Sequence, residues 1–290
     1  MLQFSAHPVH PFLKRYVSTY GIMHLTHSET FDTIFTAKPD SVLMFNIGDS
    51  CNNKTIGFDF VNQPEKKFMF YKDQAWFGGL ITKPLSAKVF AGTHVLCLVL
   101  KPITVYHFLK ESASSMVNQG YSFETLGLHT YFDGLIDQLH GKTDINSILE
   151  LVEQYFIQYF SALHIPFSVK DMTPVMNYIE RHKGIVQVKQ LEEKFHISER
   201  WLEKQFLVQV GLSPKEFARL TRFKSLLLDT MTTPSVSWSK MVYDYGYYDQ
   251  SHLIRDFKSY TGQSPTAFLQ QIVPTDAPLR VNTFFYDLYE

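Results

Sequence analysis

Two stretches of the chain follow one pattern at a fixed offset. Residues 198–217 read SERWLEKQFLVQVGLSPKEF, and residues 249–268 read DQSHLIRDFKSYTGQSPTAF. Eight matching pairs lie 51 positions apart, with no gap in either copy. A repeat of this kind indicates that one supersecondary unit is used twice. The pairs are Ser198 with Asp249, Leu202 with Leu253, Lys204 with Arg255, Phe206 with Phe257, Gly211 with Gly262, Ser213 with Ser264, Pro214 with Pro265, and Phe217 with Phe268.

Each copy carries the signals of a capped helix followed by a second helix. Ser198 and Asp249 are predicted N-caps, the glycine of each copy ends its helix in the left-handed conformation, and Ser-Pro begins the next helix. In the first copy, Ser213 and Glu216 also fit a capping box. A shorter helix is predicted upstream of each capped helix. Its apolar side consists of Val188, Leu191 and Phe195 in the first copy, and of Trp238, Met241, Val242 and Tyr245 in the second, where Gly246 ends it.

A short helix, a turn and a capped second helix form the helix-turn-helix arrangement, in which the second helix enters the major groove of DNA. A long helix from Ser213 to about Asp229 is predicted to join the two units over about 25 Å. Two units on one rigid connection can reach successive major-groove segments about 34 Å apart on one face of the DNA. A single chain could then recognise an asymmetric site.

Three motifs carry a resemblance to a known family. They are S-x-R-x-L-x-K-x-F in the first copy, G-x-S-P-x-x-F-x-R-x-x-R-F from Gly211 to Phe223, and MVYDYGYYDQSHLIRDFKSYTGQSP from Met241 to Pro265. Through these motifs, residues 171–273 resemble the DNA-binding domain of the AraC/XylS family of transcription regulators. Two residues depart from the family pattern, because Val242 and Tyr247 stand where the family usually has Ala and Phe. The larger Val242 predicts that the second unit packs slightly differently.

The resemblance implies base-reading residues on both capped helices. Arg and Lys can donate to guanine, Gln can pair with adenine, Ile254 can meet a thymine methyl group, and Glu203 can accept from cytosine. Surface ion pairs of Arg200 or Lys204 with Glu199 or Glu203 are the alternative, and Glu199 is expected to favour the helix dipole. The implied base-reading residues are Arg200, Glu203 and Lys204 in the first helix, and Gln250, Ser251, Ile254 and Arg255 in the second. Four further lysines are either phosphate neighbours or solvated charges, namely Lys189, Lys194, Lys215 and Lys258.

The amino-terminal part has the pattern of strands rather than helices. Apolar runs separated by turn-forming residues predict a small β barrel or sandwich, so the expected fold class is α+β with an all-α carboxyl-terminal domain. The predicted domains are residues 1–168 for sensing or dimerisation and 169–273 for DNA binding, followed by a tail at 274–290. The clearest strand candidates are Val42–Ile47, Trp76–Ile81 and Val95–Leu100.

A long helix is predicted from Asp144 to His164, with Asp144 as its N-cap. Its apolar stripe could pack on its own domain, or pair with a second copy across a two-fold axis. The stripe consists of Ile145, Leu149, Val152, Phe156, Tyr159 and Leu163.

The tail holds three aromatic residues that are expected to dock on the folded body, namely Phe284, Phe285 and Tyr289.

The amino-terminal domain weakly resembles the β-rich domains that accompany this DNA-binding module, some of which bind a small effector. Aromatic strand residues could line a pocket for an apolar ligand, but aromatic residues on strands are first of all core. The alternative is a domain that serves only dimerisation or protein interaction, without a ligand. The aromatic candidates are Phe45, Phe60, Phe70, Tyr71, Trp76, Phe77 and Phe90.

Composition narrows the class of protein. A chain of 290 residues with 45% apolar and 19% charged residues has the balance of a folded protein with about two domains. Two cysteines, Cys51 and Cys97, suit a reducing cytoplasm, and the sequence predicts neither export nor a membrane span. Residues 171–273 hold 13 Lys and Arg against 11 Asp and Glu, so charge alone does not indicate DNA.

Metal and enzyme chemistry are not expected. His24, His27 and His94 invite a metal site, but the chain lacks the spacing of a cupin-type ligand set. No phosphate-binding loop, nucleophile elbow or Cys/His nucleophile pair is present in the sequence. The expectation is therefore a cytoplasmic transcription regulator that uses no cofactor and is not an enzyme. By resemblance it is an activator and a homodimer, with double-stranded DNA, RNA polymerase and a small effector as partners.

Overall fold

Strands and helices segregate along the chain as the patterns predict. The computed structural model describes residues 2–25, 30–48, 54–60, 63–72, 74–139, 142–163, 171–232 and 236–272. Strands dominate the first part, which also holds helices, and helices alone occupy the described residues 171–232 and 236–272, so the predicted α+β class is confirmed. The predicted domain boundary near residue 168 and the tail lie outside the described residues.

Ten strands among the described residues form two antiparallel sheets. The six-stranded sheet has the order β1-β2-β9-β4-β7-β10, and the four-stranded sheet has the order β3-β8-β5-β6. The two sheets pack face to face, with a shared apolar layer between them. The strands are β1 (Leu2–His7), β2 (Val17–Leu25), β3 (Phe31–Phe35), β4 (Ser41–Asn46), β5 (Lys54–Phe60), β6 (Gln63–Tyr71), β7 (Ala75–Gly78), β8 (Leu85–Val89), β9 (His94–Leu100) and β10 (Gly120–Ser122).

Strand β9 explains why this part of the sequence is apolar without interruption. Successive side chains of a strand point to opposite faces of the sheet. Val95, Cys97 and Val99 face the four-stranded sheet. Leu96, Leu98 and Leu100 face a layer of helices on the other side. Both faces of the six-stranded sheet are therefore covered, and a continuous apolar run is needed at its centre.

Helices α1 (Thr104–Leu109), α2 (His129–Leu139) and α3 (Ile145–Ala162) cover the outer face of the six-stranded sheet. Asp144 caps α3 as predicted, since its Oδ2 accepts a hydrogen bond from Ser147 N at 2.8 Å.

The predicted stripe of α3 is partly wrong. Val152 and Phe156 are fully buried, but the stripe continues through Ile148 and Phe160. The buried face of α3 is thus displaced by one position from the predicted stripe at both ends. The other predicted residues of the stripe are half-buried at the edges of this face. The helix thus packs on its own domain, and pairing with a second copy stays a prediction.

The carboxyl-terminal helices reproduce the repeat. Helices α6 and α9 begin at Glu199 and Gln250, and α7 and α10 begin at Pro214 and Pro265, so both pairs keep the offset of the sequence repeat. The helices are α4 (Thr173–Arg181), α5 (Val188–Phe195), α6 (Glu199–Gln209), α7 (Pro214–Thr232), α8 (Trp238–Asp244), α9 (Gln250–Thr261) and α10 (Pro265–Ile272).

The predicted helix ends are mostly confirmed. Gly211 and Gly262 have φ values of 92° and 78°, in the left-handed region that glycine adopts without strain. Thr173 followed by Pro174 predicts an N-cap and a proline at the first helical position of α4, and this N-cap prediction is wrong. Thr173 is the first helical residue, and Asp171 Oδ1 accepts hydrogen bonds from its N and Oγ1 at 2.8 and 2.7 Å. An acidic side chain two residues earlier can reach the same free N–H groups.

Helix α7 is the common support of the two helix-turn-helix units. It has 19 residues and packs against α4, α6 and α9. The apolar spacing of each copy predicts Leu202 and Phe206 in the first unit and Leu253 and Phe257 in the second as core, and all four are fully buried in the same core. The sequence predicts Trp201 and Trp238 as core too, but both are only half-buried at its edge.

The two domains share part of this core. Ala37, Leu80 and Ile103 of the amino-terminal domain are buried among the residues of the helix-turn-helix units. Ala37 N donates to Tyr260 O at 2.9 Å. Lys224 Nζ lies 3.3 Å from Asp40 Oδ2, and both side chains are largely buried. The amino-terminal domain is therefore in direct contact with both the linking helix and the second unit.

Replacing Ser213 with alanine is expected to lower the free energy of unfolding by about 1 kcal/mol. Glu216 N donates to Ser213 Oγ at 3.2 Å, and Ser213 N donates to Glu216 Oε2 at 3.0 Å, so the capping box is formed. Ser264→Ala is the matched control, because only one longer bond of 3.3 Å from Ala267 N caps that helix. Urea unfolding measures both variants. Equal losses would contradict the role of the capping box.

Candidate nucleic-acid interface

The first unit exposes the residues predicted to read DNA. Arg200, Glu203 and Lys204 are exposed on α6. The opposite side of this helix is occupied by the buried residues Leu202 and Phe206. Arg200 and Lys204 are four positions apart and therefore project from one face. The structure thus leaves a polar face of α6 open to a partner.

The turn of the first unit is fixed by a contact that the sequence did not reveal. Ser198 occupies the N-cap position of α6, but its side chain makes no capping bond. Glu199 N instead donates to Glu192 Oε1 of α5 at 2.6 Å. Glu199 lies in the first turn, where it favours the helix dipole as expected. This bond joins the two helices of the unit across their turn.

The alternative prediction is that Arg200 and Lys204 form surface ion pairs, and the described residues show no such pair. Both side chains are exposed, so their charges face solvent in the free protein.

The second unit presents an equivalent face on α9. Asp249 caps this helix as predicted, because its Oδ1 accepts from His252 N at 2.7 Å. Gln250, Ser251 and Arg255 are exposed, whereas Ile254 is half-buried. Part of the Ile254 side chain is therefore shielded from a partner by the protein itself. The predicted residues of α9 still lie along one side of the helix.

A buried acid in α9 was missed by sequence reasoning. Asp256 is completely buried and accepts from Arg219 Nη2 at 2.6 Å and from Arg219 Nε at 3.2 Å. Arg222 Nη2 donates to its other oxygen at 3.5 Å. The hydrogen bond with Asp256 raises the pKa of Arg219. The spacing R-x-x-R in α7 and an acid on an apolar helix stripe were the available signals.

These contacts couple the second recognition helix to the linking helix. Two bonds from one guanidinium fix both the distance and the plane of the pair. The guanidinium of Arg222 also stacks over the ring of Tyr247, at 4.2 Å from the ring centroid. Tyr247, which departs from the family pattern, is nearly fully buried, and this burial raises the pKa of its phenol. The orientation of α9 thus depends on Arg219, Arg222 and Asp256.

No metal centre is seen in the part of the chain that the structure describes, since no three His, Cys, Asp or Glu residues lie together in it. His24 and His94 stack with ring centroids 4.6 Å apart. Burial and the neighbouring His24 lower the pKa of His94 to about 4. His27 and Cys51 lie outside the described residues.

The aromatic strand residues do not line one common pocket. Phe45 and Phe77 face the helix layer, whereas Phe60, Phe70 and Trp76 lie between the sheets. Strand alternation separates Trp76 from Phe77, because neighbouring residues point to opposite faces. Phe60 and Trp76 do line a cavity between the sheets, but its volume is only about 60 Å³.

The fold and the repeated unit agree with one family model. Residues 191–271 match the model described as "Helix-turn-helix domain". The carboxyl-terminal domain is therefore an AraC-type helix-turn-helix domain, a class of domain that binds DNA. In the described ranges, no helix combines the length and the apolar character needed to cross a membrane.

A curated relative is the Msm operon regulatory protein of Streptococcus mutans serotype c (strain ATCC 700610 / UA159). It is 25% identical over 142 residues, which are 45% of this chain and 50% of the relative. The chain thus spans about half the length of the curated relative that it matches.

Similar solved structures have low identity. A 1.65 Å structure of ToxT from Vibrio cholerae is 12% identical, with a TM-score of 0.46 over 87% of this chain and 97% of ToxT. ToxT with a bound unsaturated fatty acid is 11% identical, with a TM-score of 0.47 over 86% and 93%. The AraC-like activator CuxR is 10% identical, with a TM-score of 0.27 over 79% and 87%. At TM-scores below 0.5, these likenesses define no ligand or partner for this chain.

Proposed function

We propose that this protein is a sequence-specific, DNA-binding transcription regulator whose helices α6 and α9 each read one segment of the major groove. The observation that carries this proposal is the repetition of one exposed polar face on two helices that share the core of α7. Two such faces on one support match two groove segments one helical turn apart.

The proposed base contacts follow from side-chain chemistry. Lys204 and Arg255 occupy equivalent positions of the repeat and donate to guanine O6 and N7. Gln250 pairs with adenine, and Arg200 gives a second guanine contact in the first unit. Glu203, Ser251 and the exposed part of Ile254 complete the two faces, with contacts to cytosine N4, to either base edge and to a thymine methyl group.

The proposal extends to the effect on transcription and to the oligomeric state. By resemblance, the regulator is a cytoplasmic activator that acts as a homodimer and contacts RNA polymerase. The contact between the domains supports a link from the amino-terminal domain to DNA binding, because Asp40 bonds to Lys224 on the helix that carries both units. A change of this contact would alter the position of α7.

Binding of the wild-type chain to DNA tests the proposal. The DNA is first selected from a random pool, and its affinity is then compared with that of unselected DNA at 50 and 200 mM salt. A cognate site is expected to bind at least about a thousand times more tightly, and to show two protected segments about 34 Å apart on one face. Equal affinity for every sequence, lost steeply with salt, would contradict the proposal.

The cavity between the two sheets is too small for a typical small effector. Ligand sites usually have volumes of about 300 to 1,000 Å³, far above the 60 Å³ between the sheets. An effector site between the sheets therefore finds no support. The alternative, in which the amino-terminal domain acts as a dimerisation or protein-interaction module, stands beside an effector site elsewhere in that domain, where a second cavity has a volume of about 360 Å³.

A thermal-shift screen distinguishes the two forms of control. A ligand that binds only the folded protein raises its unfolding midpoint by mass action. We expect no shift with apolar or aromatic small molecules at concentrations near 100 μM. A shift that depends on ligand concentration, together with a change in DNA affinity, would contradict control without an effector.

A further inference from the structure

A wide cleft separates the two helix-turn-helix units. Its volume is about 730 Å³. Helix α5 and the first turn of α6 form one wall, α9 forms the other wall, and α7 forms the floor. The cleft therefore lies between the two faces proposed to read DNA.

Among the charged residues that line the cleft, cations outnumber acids. Lys215, Arg219, Arg222 and Arg255 contribute positive side chains, whereas the acids are Glu199 and Asp256. The charge of Asp256 is already matched, because this side chain is completely buried against the two arginines of α7. The cleft thus keeps an excess of positive charge.

Two of these cations, Lys215 and Arg219, are accessible to an external anion. Lys215 is exposed in the first turn of α7. The side chain of Arg219 is 46% exposed although it is bonded to Asp256. That pairing uses Nε and Nη2, and so leaves Nη1 for another acceptor. An acceptor that fills the cleft would meet a guanidinium whose position is already fixed.

The position of the cleft identifies the anion. Arg255 both lines the cleft and belongs to the face of α9 proposed to read bases, so the cleft is continuous with that face. When two helices occupy successive major-groove segments, the intervening minor groove, with its phosphate backbone, passes between them. DNA presents one negative charge per about 1.7 Å there, and a cationic cleft is complementary to it.

We propose that this cleft binds the DNA backbone between the two base-reading segments, with Lys215 and Arg219 as phosphate contacts. This inference rests on the proposed function and adds a third contact region to it. Asp256 is a positioning residue, because it orients Arg219 without touching DNA. Contacts to phosphate fix the register of the protein on the duplex but carry no sequence information.

The test uses the full chain and a selected cognate site. Lys215→Ala is expected to weaken binding about five- to tenfold at 0.1 M salt, equally on cognate and random DNA, and to reduce the slope of log K against log salt by about 0.9. Lys88→Ala is the matched control, because Lys88 is an exposed lysine of the amino-terminal domain. Its affinity and slope are expected to equal those of the wild type.

Neutral DNA gives a second measurement, which is made first on the wild type. Methylphosphonates replace the phosphates between the two protected segments, and this replacement should weaken wild-type binding. The same replacement should affect Lys215→Ala much less. If the wild type binds specifically and neither change alters its affinity, the cleft does not contact DNA. A changed base preference in Lys215→Ala would also overturn the proposal. If wild-type affinity is equal on all sequences, the proposed function itself fails.

Free phosphate distinguishes the other source of the same chemistry. Inorganic phosphate at 10 mM is expected to shift the unfolding midpoint of the wild type no more than it shifts the midpoint of Lys215→Ala. A larger shift in the wild type alone would indicate a site for a free anion, and would overturn the assignment to DNA.

Discussion

Replacing Asp256 with alanine is expected to lower the free energy of unfolding by about 3 to 5 kcal/mol. The carboxylate is completely buried, and it accepts bonds from Arg219 and Arg222. Its removal leaves the largely buried Arg222 without its acidic partner, and an uncompensated buried charge is costly. Because these bonds join α9 to α7, the second recognition helix should also lose its fixed orientation. Affinity for cognate DNA should therefore fall together with stability.

Urea unfolding at constant pH measures the loss, with the slope of the transition used to check that unfolding remains two-state. Asp244→Ala is the matched control, since Asp244 is an exposed acid of the neighbouring helix α8. Its effect should stay within about 0.5 kcal/mol. A loss below 1 kcal/mol for Asp256→Ala would contradict the role assigned to the buried pair.

Replacing Lys38 with methionine is expected to stabilise the protein by a few kcal/mol at pH 7, and by less as the pH rises. Burial lowers the pKa of Lys38 from 10.5 to about 7, against the opposing effect of Asp40. Between pH 7 and 10.5 the unfolded chain binds more protons than the folded chain, so the wild type gains stability with rising pH. Below about pH 7 both states carry the proton, and this contribution no longer changes.

The free energy of unfolding, measured at pH 7, 8 and 9, tests this linkage. The difference between Lys38→Met and the wild type should shrink by about 2 kcal/mol over that range. Lys88→Met is the control, because Lys88 is exposed and its replacement should leave the pH profile unchanged. If the free energy of unfolding changes with pH in the same way for Lys38→Met and the wild type, burial does not disfavour the charged form of Lys38, and the prediction is wrong.

Local signals explain why the repeat predicted so much of the carboxyl-terminal domain. N-caps, left-handed glycines and Ser-Pro pairs act within one helical turn, so the ends of α6, α7, α9 and α10 follow from sequence. The core positions Leu202, Phe206, Leu253 and Phe257 follow from their spacing. All of the predicted base-reading residues except the half-buried Ile254 are exposed. Their contacts with bases stay predictions.

The contacts that sequence reasoning missed join distant parts of the chain. Asp40 and Lys224 are 184 positions apart, and no periodic pattern connects them. Asp256 lies on an apolar stripe, where an acid is not expected without a buried partner, and that partner comes from another helix. The sequence leaves open whether the aromatic strand residues line a pocket or form core, because the direction of each strand residue decides which aromatic residues can meet.

In the proposed function, α6 and α9 each read bases in their own segment of DNA. The most direct test measures the affinity of the wild type, Lys204→Ala and Arg255→Ala for the cognate site and for every single-base variant of it. Each replacement should cost about 1 to 3 kcal/mol on the cognate site and relax the base preference in one segment only, a different one for each residue. Equal losses on all sequences, with the base preference unchanged, would contradict base reading by these helices.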